Sequence, residues 1–401
     1  MWSSDVSYAK QNGGNTSWII QGTEAVPTEQ AFWDWLLAEA KGWGLYVYEQ
    51  DWLFTEWVGA PAMLQSATLP REWLAQMDAA AAKNGLVVQY CMLWPRMALQ
   101  SLEFSSVTTA RGSTDYKAGG NDQWIMGLSS LFLDSLALRP TKDNFFTTDK
   151  QGDGKKGVEK FNRLQSLVST LSTGPVFPSD AINSSDVPLI MRSCNADGLL
   201  LRPDRAATNV DGNILAKAWA NENSNVQQPG ELQSTTSTVS GLAYTYLLAA
   251  QTAASTVDRV ALYPALPASA PSYLAYESNS SSTLHVFDGK TPLQVAANDR
   301  WSFNYWTVAP PLSNGYFFLG EASQKWIAVS KQRFTSIAVS SSATAGAGFN
   351  VAFVGKPSEK VQLAWAPPIT AGGAAPDQKS VTCTVGAGGT GSASFPEGKC
   401  I

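Results

Sequence analysis

The chain has 401 residues, of which 44% are hydrophobic and 15% are charged, and its net charge is −5. This length is enough for two or three domains, and the charged share is below the usual quarter. A nucleic-acid partner would need a basic stripe to neutralise phosphates, and a membrane span would need about 20 apolar residues in a row. The sequence contains neither feature, so it predicts no nucleic-acid partner and no membrane partner.

The first half alternates short apolar strands with amphipathic helices. The predicted strands are 17–20, 45–48, 86–90, 106–110, 136–138 and 174–177. The predicted helices are 28–44, 69–85, 122–135, 157–172 and 186–194. In the first helix the spacing of Phe32, Trp35, Leu36 and Trp43 predicts one buried face. Strands that recur every 20 to 40 residues or so, with helices between them, are typical of a parallel sheet or barrel.

The second half has a different pattern. From about Leu199 it shows short alternating segments separated by Gly, Ser, Asn and Pro, which predicts an antiparallel β-sandwich. The polar stretch 220–240 is predicted to be a long loop, and 371–401 a loosely ordered Gly/Ser-rich tail. The fold class is therefore α/β, with a partial (β/α)8 TIM barrel of about six strands in 1–198, an antiparallel β-sandwich in 199–370 and the tail in 371–401.

The four cysteines divide into two kinds. Cys383 and Cys400 lie in the tail, where a disulfide would close it, although the sequence leaves that pairing open. Cys91 follows a strand and Cys194 lies in a helical stretch, so both are predicted to be buried free thiols.

Histidine chemistry is nearly excluded, because His285 is the only histidine. It lies in an alternating strand, far along the chain from the acidic clusters, and a structural role is the better interpretation. Neither several histidines nor a CxxC pair is present for zinc, so no cofactor is predicted.

Three Asn-x-Ser/Thr sequons, at Asn15, Asn183 and Asn279, would fit a secreted protein, although such triplets also arise by chance. The N-terminus resembles neither a signal peptide nor a transit peptide, so the location stays open.

Carboxylates follow nearly every predicted strand of the first half, where a βα barrel has its active site. They are Glu49, Asp51, Asp115, Asp143 and Asp180, with Arg111 and Arg139 beside two of them. One such aspartate alone is more often a cap or loop residue, and Asp180 is the one that fits that description best. Together they predict paired-carboxylate chemistry, that is, glycosyl transfer without a metal.

At these residues the chain resembles the α-galactosidase and raffinose-synthase group of retaining glycoside hydrolases, over roughly 40–215. "YEQDWL" takes the place of the group's nucleophile segment, which makes Asp51 the candidate nucleophile. "QYCMLWP", with Cys91 and Trp94, resembles the group's next strand and its Trp-Pro. The resemblance implies a (β/α)8 barrel followed by an antiparallel β-domain.

Later segments continue the resemblance in the same order. "RGSTD" places Asp115 four residues after Arg111, as the group places its acid/base residue. Asp143 in "RPTKDNFF" resembles a position that lines the group's site, "GPVFPSD" its eighth strand, and "NADGLLLRPDRAATNVDG" the entry into its C-terminal domain.

Two departures from the group affect these expectations. The group has a sugar-contacting lysine two residues before the nucleophile, and here Glu49 stands there with the opposite charge. Only about six barrel strands are visible, which suggests a truncated gene model, a fragment or a processed chain.

The sequence therefore predicts a retaining glycoside hydrolase or transglycosidase for α-linked sugars, with Asp51 as nucleophile and Asp115 as general acid and base. The residues predicted to bind the carbohydrate substrate are Glu49, Trp52, Cys91, Trp94, Arg111, Asp143 and Arg139. Two alternatives stay open: an inactive carbohydrate-binding protein or enzyme fragment, and a structural β-rich protein with all its tryptophans in the core. The sugar, the linkage, the acceptor and the oligomeric state are not predicted.

Overall fold

A computed structural model describes residues 2–3, 17–22, 24–119, 123–151, 157–223, 225, 229–262, 266, 270–278, 283–298, 302–340, 348–370 and 372–401. The chain divides into two compact units. The first unit is Met1–Gly112 with Phe132–Thr141, and the second is Ser113–Leu131 with Lys142–Ile401. The protein is mixed α/β, with one parallel sheet and several antiparallel sheets among the described residues.

The first unit contains both helices and strands. Its helices are Gln30–Gly42, Leu53–Gly59, Pro61–Gln65, Leu69–Lys83 and Pro95–Gln100, followed by a 3-10 turn at Ser101–Glu103. Its strands are β1 (Trp2–Ser3), β2 (Trp18–Gln21), β3 (Glu24–Pro27), β4 (Val47–Gln50), β5 (Val87–Tyr90), β6 (Val107–Arg111) and β7 (Arg139–Thr141). The helix Gly127–Ser135 contributes residues to the ranges of both units.

The strands β4, β5, β6 and β7 form a parallel sheet in that order, with one helix-containing connection between each pair. The helix Leu69–Lys83 shows how the sequence determines one connection. Pro70 lies in its first turn, and Gly85, at φ +62°, adopts the left-handed conformation that ends a helix. The sequence predicts this helix over 69–85, and the observed helix ends two residues earlier, at Lys83.

One face of this sheet packs against helices. Alternate strand residues such as Val88, Tyr90 and Ala110 are buried in a cluster with Trp33 and Trp73, whose rings meet edge to face at 5.5 Å. In the helix Gln30–Gly42 the buried residues are Phe32, Trp33 and Leu37. The predicted face was therefore wrong at Trp35, which is 40% exposed, and at Trp43, which follows the end of the helix and is 81% exposed.

Several predicted strands shifted or disappeared. The strands predicted at 45–48 and 136–138 lie two and three residues further on, at Val47–Gln50 and Arg139–Thr141. The segment predicted as a strand at 174–177 does not form one, and an isolated parallel bridge joins Phe145 to Pro178, the residue that follows it. The parallel sheet has four strands among the described residues, and the barrel stays a prediction.

The second unit is dominated by antiparallel strands. Its helices are Asn162–Leu171, Val187–Ile190 and Asp211–Glu222, with a 3-10 turn at Val260–Leu262. Its strands up to the middle are β8 (Thr208–Asn209), β9 (Glu231–Val239), β10 (Leu242–Ala250), β11 (Ser255–Val257), β12 (Ser272–Glu277), β13 (His285–Asp288), β14 (Leu293–Val295) and β15 (Phe303–Ala309). The remaining strands are β16 (Phe317–Gly320), β17 (Phe334–Val339), β18 (Phe349–Val354), β19 (Lys360–Ala366), β20 (Lys379–Thr384), β21 (Thr390–Phe395) and β22 (Lys399–Cys400).

A six-stranded sheet in the order β13-β12-β15-β10-β9-β8 is buried on both faces. In β10, Tyr246 and Leu248 pack into one apolar cluster, while Leu247 and Ala249 pack into another. This is why the segment reads as a nearly continuous apolar run rather than as an alternation. The first cluster also includes residues of β17, β18, β19 and β21, from the neighbouring sheets.

Two segments are more ordered than the sequence predicted. The stretch predicted as a long loop at 220–240 contains β9, in which every second residue from Glu231 to Val239 is buried. The predicted tail contains the strands β20, β21 and β22, and a disulfide joins Cys383 to Cys400 with their Cα atoms 5.5 Å apart. Cys91 and Cys194 are buried free thiols, as predicted.

A buried ion-pair network lies inside the second unit. The Arg333 guanidinium donates to Glu321 at 2.8 Å and to Glu359 at 2.5 Å, and its side chain has 0% exposure. Arg333 also donates to the Val354 carbonyl oxygen at 2.8 Å. Burial raises the pKa of Glu321, which Arg333 offsets. Such a network is stable only as a whole, because each buried charge needs its partners.

Replacing Arg333 with Met should therefore lower the stability of the second unit by about 3–5 kcal/mol, because two carboxylates would stay buried without their cation. Thermal and urea unfolding would measure the loss. The matched control is Lys331→Met, since Lys331 pairs with Asp204 at 2.9 Å but is 54% exposed, and such pairs contribute less than about 1 kcal/mol. Equal unfolding midpoints for the two variants would contradict the assigned role of the network.

Candidate functional site

The second face of the parallel sheet in the first unit is polar. Glu49, Gln89 and Thr109 occupy matching positions on β4, β5 and β6, and Arg139 is in register with Thr109. The Gln89 amide donates to the Glu49 carboxylate at 2.9 Å, and the Thr109 hydroxyl donates to the Gln89 carbonyl oxygen at 3.3 Å. We call this hydrogen-bonded set of Glu49, Gln89 and Thr109 the polar row.

Asp51, Cys91 and Arg111 lie one step further, at the carboxyl edge of the sheet. Gln50 pairs with Tyr90, and the Cys91 backbone N–H donates to the Gln50 carbonyl oxygen at 3.0 Å, which places Asp51 beside Cys91. Burial raises the pKa of the Cys91 thiol, and so does the hydrogen bond to Asp51, while the charge of Arg111 opposes the shift. The sheet thus brings together the predicted nucleophile and three predicted binding residues, Glu49, Cys91 and Arg111.

The backbone at this edge is strained. Trp52 (φ 56°) and Met92 (φ 50°) follow the ends of β4 and β5, and both adopt the left-handed conformation, which costs residues with a Cβ free energy. Phe54 donates its N–H to the Met92 carbonyl oxygen at 2.9 Å, so the two turns are bonded to each other. The Trp52 N–H donates to Asp51 Oδ1 at 2.7 Å and orients that carboxylate. Strain of this kind is common at functional sites, where the surrounding contacts stabilise it.

Aromatic side chains near this edge are accessible. Trp52 is 53% exposed and Trp94 is 41% exposed. Trp94 stacks on Phe54 with ring centroids 5.6 Å apart, and the Arg96 guanidinium lies 4.0 Å from the Trp57 ring centroid. Exposed indoles held in place by neighbours offer an apolar surface to a ligand.

The other predicted site residues, Asp115 and Asp143, lie in the second unit. Asp115 is exposed. Asp143 accepts hydrogen bonds from the Tyr116 N–H at 2.6 Å and from the Asn144 N–H at 2.8 Å, and its own N–H donates to the Ser113 hydroxyl at 2.9 Å. These bonds assign Asp143 a role in holding the loop 113–116, beside any role in binding.

Asp180 has the structural role that the sequence suggested, but it is not a helix cap. Its carboxylate accepts from the Thr147 N–H at 2.7 Å, from the Thr147 hydroxyl at 2.6 Å and from the Gln151 amide at 3.0 Å. The cap of the following helix is Asp186, which accepts from the Leu189 N–H at 3.0 Å.

Sequence reasoning missed the role of Lys142, which is fully buried beside Asp143. Its ammonium donates to Gln123 Oε1 at 3.1 Å and to the carbonyl oxygens of Asp143 and Asn144, each at 3.0 Å. Burial lowers the pKa of Lys142 to about 7, although the carboxylates of Asp143 and Glu159 oppose the shift. A lysine between Pro-Thr and Asp-Asn-Phe-Phe was the only signal for it, and periodicity does not distinguish a buried from an exposed lysine there.

No cluster of three or more His, Cys, Asp or Glu side chains suited to a metal ion occurs among the described residues. No helix in the described part of the chain is long and apolar enough to cross a membrane. The chain matches no model of a known protein family and no curated protein. A function for this chain is therefore inferred from the geometry and chemistry of the site residues described above.

The stability of the second unit should depend on the titration of Lys142. Unfolded lysine keeps its proton up to a pH of about 10.4, so between pH 7 and pH 10.4 the unfolded state binds more protons. Stability then rises with pH across this window and is lost as the pH falls through it. Relative to Lys142→Met, the wild type should gain up to about 1.4 kcal/mol per pH unit between pH 7.5 and pH 9.5, measured by urea unfolding.

The control for this measurement is Lys150→Met, because Lys150 is an exposed lysine of the same unit. The change of stability with pH in Lys142→Met is compared with the change in this variant. A constant difference for Lys142→Met would show that Lys142 does not titrate in this window.

Proposed function

We propose that this chain is a glycoside hydrolase or transglycosidase that acts on α-linked sugars with retention of configuration. The observation that favours this most is the placement of Asp51: an exposed carboxylate at the carboxyl edge of a parallel sheet, oriented by the Trp52 N–H and next to the Cys91 thiol. Ligand sites in parallel α/β sheets lie at that edge. The proposal includes the barrel that the sequence resemblance implies, beyond the four parallel strands.

In the proposed reaction Asp51 attacks the anomeric carbon, and the bond to the leaving oxygen breaks as that oxygen takes a proton from Asp115. In the second step water, or a sugar hydroxyl when the sugar is transferred, attacks the anomeric carbon of the glycosyl ester. The bond to Asp51 breaks as the Asp115 carboxylate takes the proton of the attacking oxygen. Asp115 is included in the proposal because it lies four residues after Arg111 in the sequence. Its side chain is exposed, and it belongs to the second unit. Each carboxylate can be tested separately.

Residues around Asp51 have supporting roles in this proposal. Arg111 contributes a positive charge that acts on the neighbouring Cys91 thiol, and its guanidinium can donate hydrogen bonds to sugar hydroxyls. Trp52 and Trp94 offer apolar faces for a sugar ring, and Glu49 accepts hydrogen bonds from sugar hydroxyls. Arg139, exposed on the outer strand β7, and Asp143 stay predicted binding residues.

The mechanism can be tested by chemical rescue with azide, using 4-nitrophenyl α-galactoside as the substrate. Asp51→Gly should lower kcat by roughly 10⁴-fold or more, because no covalent intermediate forms without the nucleophile. Azide should then restore turnover and give a β-galactosyl azide, since it attacks the substrate directly from the opposite face. In Asp115→Ala, azide should intercept the glycosyl ester and give an α-galactosyl azide, analysed by NMR.

The control variant is Asp34→Asn, which removes a carboxylate of the same unit that is bonded to Lys83 away from the sheet edge. Its kcat should be unchanged. Unaltered hydrolysis in Asp51→Gly, or no hydrolysis by the wild-type protein, would rule out the proposed reaction for this chain. If sugars quench the tryptophan fluorescence of an inactive wild-type protein, the alternative of a carbohydrate-binding protein without turnover is favoured.

A further inference from the structure

A cavity of about 490 Å³ lies in the second unit. The described residues that line it are Tyr116, Lys117, Ala118, Asn144, Phe146 and Ser179. This volume is within the range of small-molecule sites and exceeds what a single pyranose ring requires. Its walls combine two aromatic rings with an amide and a hydroxyl group, the mixture expected of a site for a small, neutral, polar molecule.

The Asn144 side chain on this wall has a fixed orientation. Its amide nitrogen donates to Asp143 Oδ1 at 3.1 Å, and its carbonyl oxygen accepts from the Ser179 hydroxyl at 2.9 Å. The Asn144 backbone is fixed as well, since its main-chain carbonyl oxygen accepts a hydrogen bond from the buried Lys142 ammonium at 3.0 Å. An amide has two N–H donors and two acceptor lone pairs, so Asn144 retains one of each to offer a ligand.

The two rings are also held in place. Tyr116 and Phe146 meet edge to face, with centroids 5.3 Å apart and planes at 85°. The Tyr116 hydroxyl donates to Glu159 at 2.7 Å and accepts from the Phe146 N–H at 3.1 Å. Rings fixed in this way form an apolar surface that loses little entropy when a ligand packs on it.

The charges around the cavity oppose one another, with one cation in the lining and two carboxylates behind it. Lys117, which is exposed, is the cation among the described lining residues, and none of these residues is acidic. Behind the wall, the carboxylates of Asp143 and Glu159 hydrogen-bond to Asn144 and Tyr116. Since both carboxylates are turned toward the protein, they leave a cationic ligand without a partner.

We propose that this cavity binds a pyranose ring of a neutral carbohydrate, with Asn144 and Ser179 bonded to adjacent hydroxyl groups and Phe146 packed against the ring's C–H face. Adjacent hydroxyls of a sugar ring offer one donor and one acceptor, which matches the free donor and acceptor of an oriented amide. The proposal shares its ligand class with the proposed function but requires no reaction at Asp51.

Binding is best measured in the full-length Asp51→Asn protein, so that a probe is not hydrolysed. The probe is melibiose, an α-linked disaccharide, and its Kd is determined by isothermal titration calorimetry. Asn144→Ala should weaken binding by about 10-fold through the lost hydrogen bonds, and Phe146→Leu and Ser179→Ala by several-fold each. Asn350→Ala, an exposed asparagine of β18 outside the cavity, should leave the Kd unchanged.

Further results decide the proposal. Mannitol, which has hydroxyls but no ring, should bind at least 10-fold more weakly, and glucose 6-phosphate should bind no tighter than glucose. Unchanged melibiose binding in all three cavity variants, with each variant folded by circular dichroism, would overturn the proposal, as would no binding at 50 mM-scale probe concentrations. Failure of the proposed hydrolysis is a separate result, because it is seen in the wild-type rate and not in these affinities.

Discussion

The alternation of side chains along the parallel strands is the constraint on which the candidate site depends. Successive residues of β4 point to opposite faces, so Tyr48 packs toward the helices while Glu49 lies on the polar face. A slip of one residue in β4 would turn Glu49 into the apolar cluster and Tyr48 out of it. Burying an unpaired carboxylate there would cost several kcal/mol, so the helix-packed face fixes the register that brings Asp51 beside Cys91.

The second unit follows a different rule, in which buried charges organise the loops. Lys142 bonds to two backbone carbonyl oxygens and an amide, and Arg333 to two carboxylates and a carbonyl oxygen. Glu231 pairs with Lys217 and also accepts from the Gly127 N–H at the start of the helix Gly127–Ser135. Each of these groups joins segments that are distant in sequence, and each is stable only because its partners replace the lost water.

Sequence patterns predicted the elements better than the contacts between them. The helix Leu69–Lys83 has local start and stop signals, and its bounds could be predicted because those signals act within a few residues. The strand β9, "ELQSTTSTV", was missed because its buried positions are mostly polar, and burial of Thr235 and Ser237 depends on partners such as the Arg205 and Val329 carbonyl oxygens. Such partners are invisible to hydrophobic periodicity.

The same limit applies to the candidate site. The position of Asp51 at a strand end could be predicted, because strand ends follow from apolar runs and turn signals. The left-handed conformations of Trp52 and Met92 could not, since neither residue type favours them and only the bonding between the two turns stabilises them. The burial of Lys142 could not be predicted either, because a lysine is normally exposed and only its three acceptors make burial tolerable.

The polar row gives the negative charge of Glu49 a structural explanation. A carboxylate only accepts hydrogen bonds, so it requires Gln89 to present its amide N–H, which turns the Gln89 carbonyl oxygen toward the Thr109 hydroxyl. A lysine at position 49, as in the group that the sequence resembles, would require the opposite amide orientation, and Thr109 would have to accept instead of donate. The charge reversal is therefore compatible with the side chains of three strands at once, and a sugar hydroxyl that meets Glu49 must act as a donor. In the proposed function, this position would therefore select among sugar hydroxyls differently from the lysine of that group.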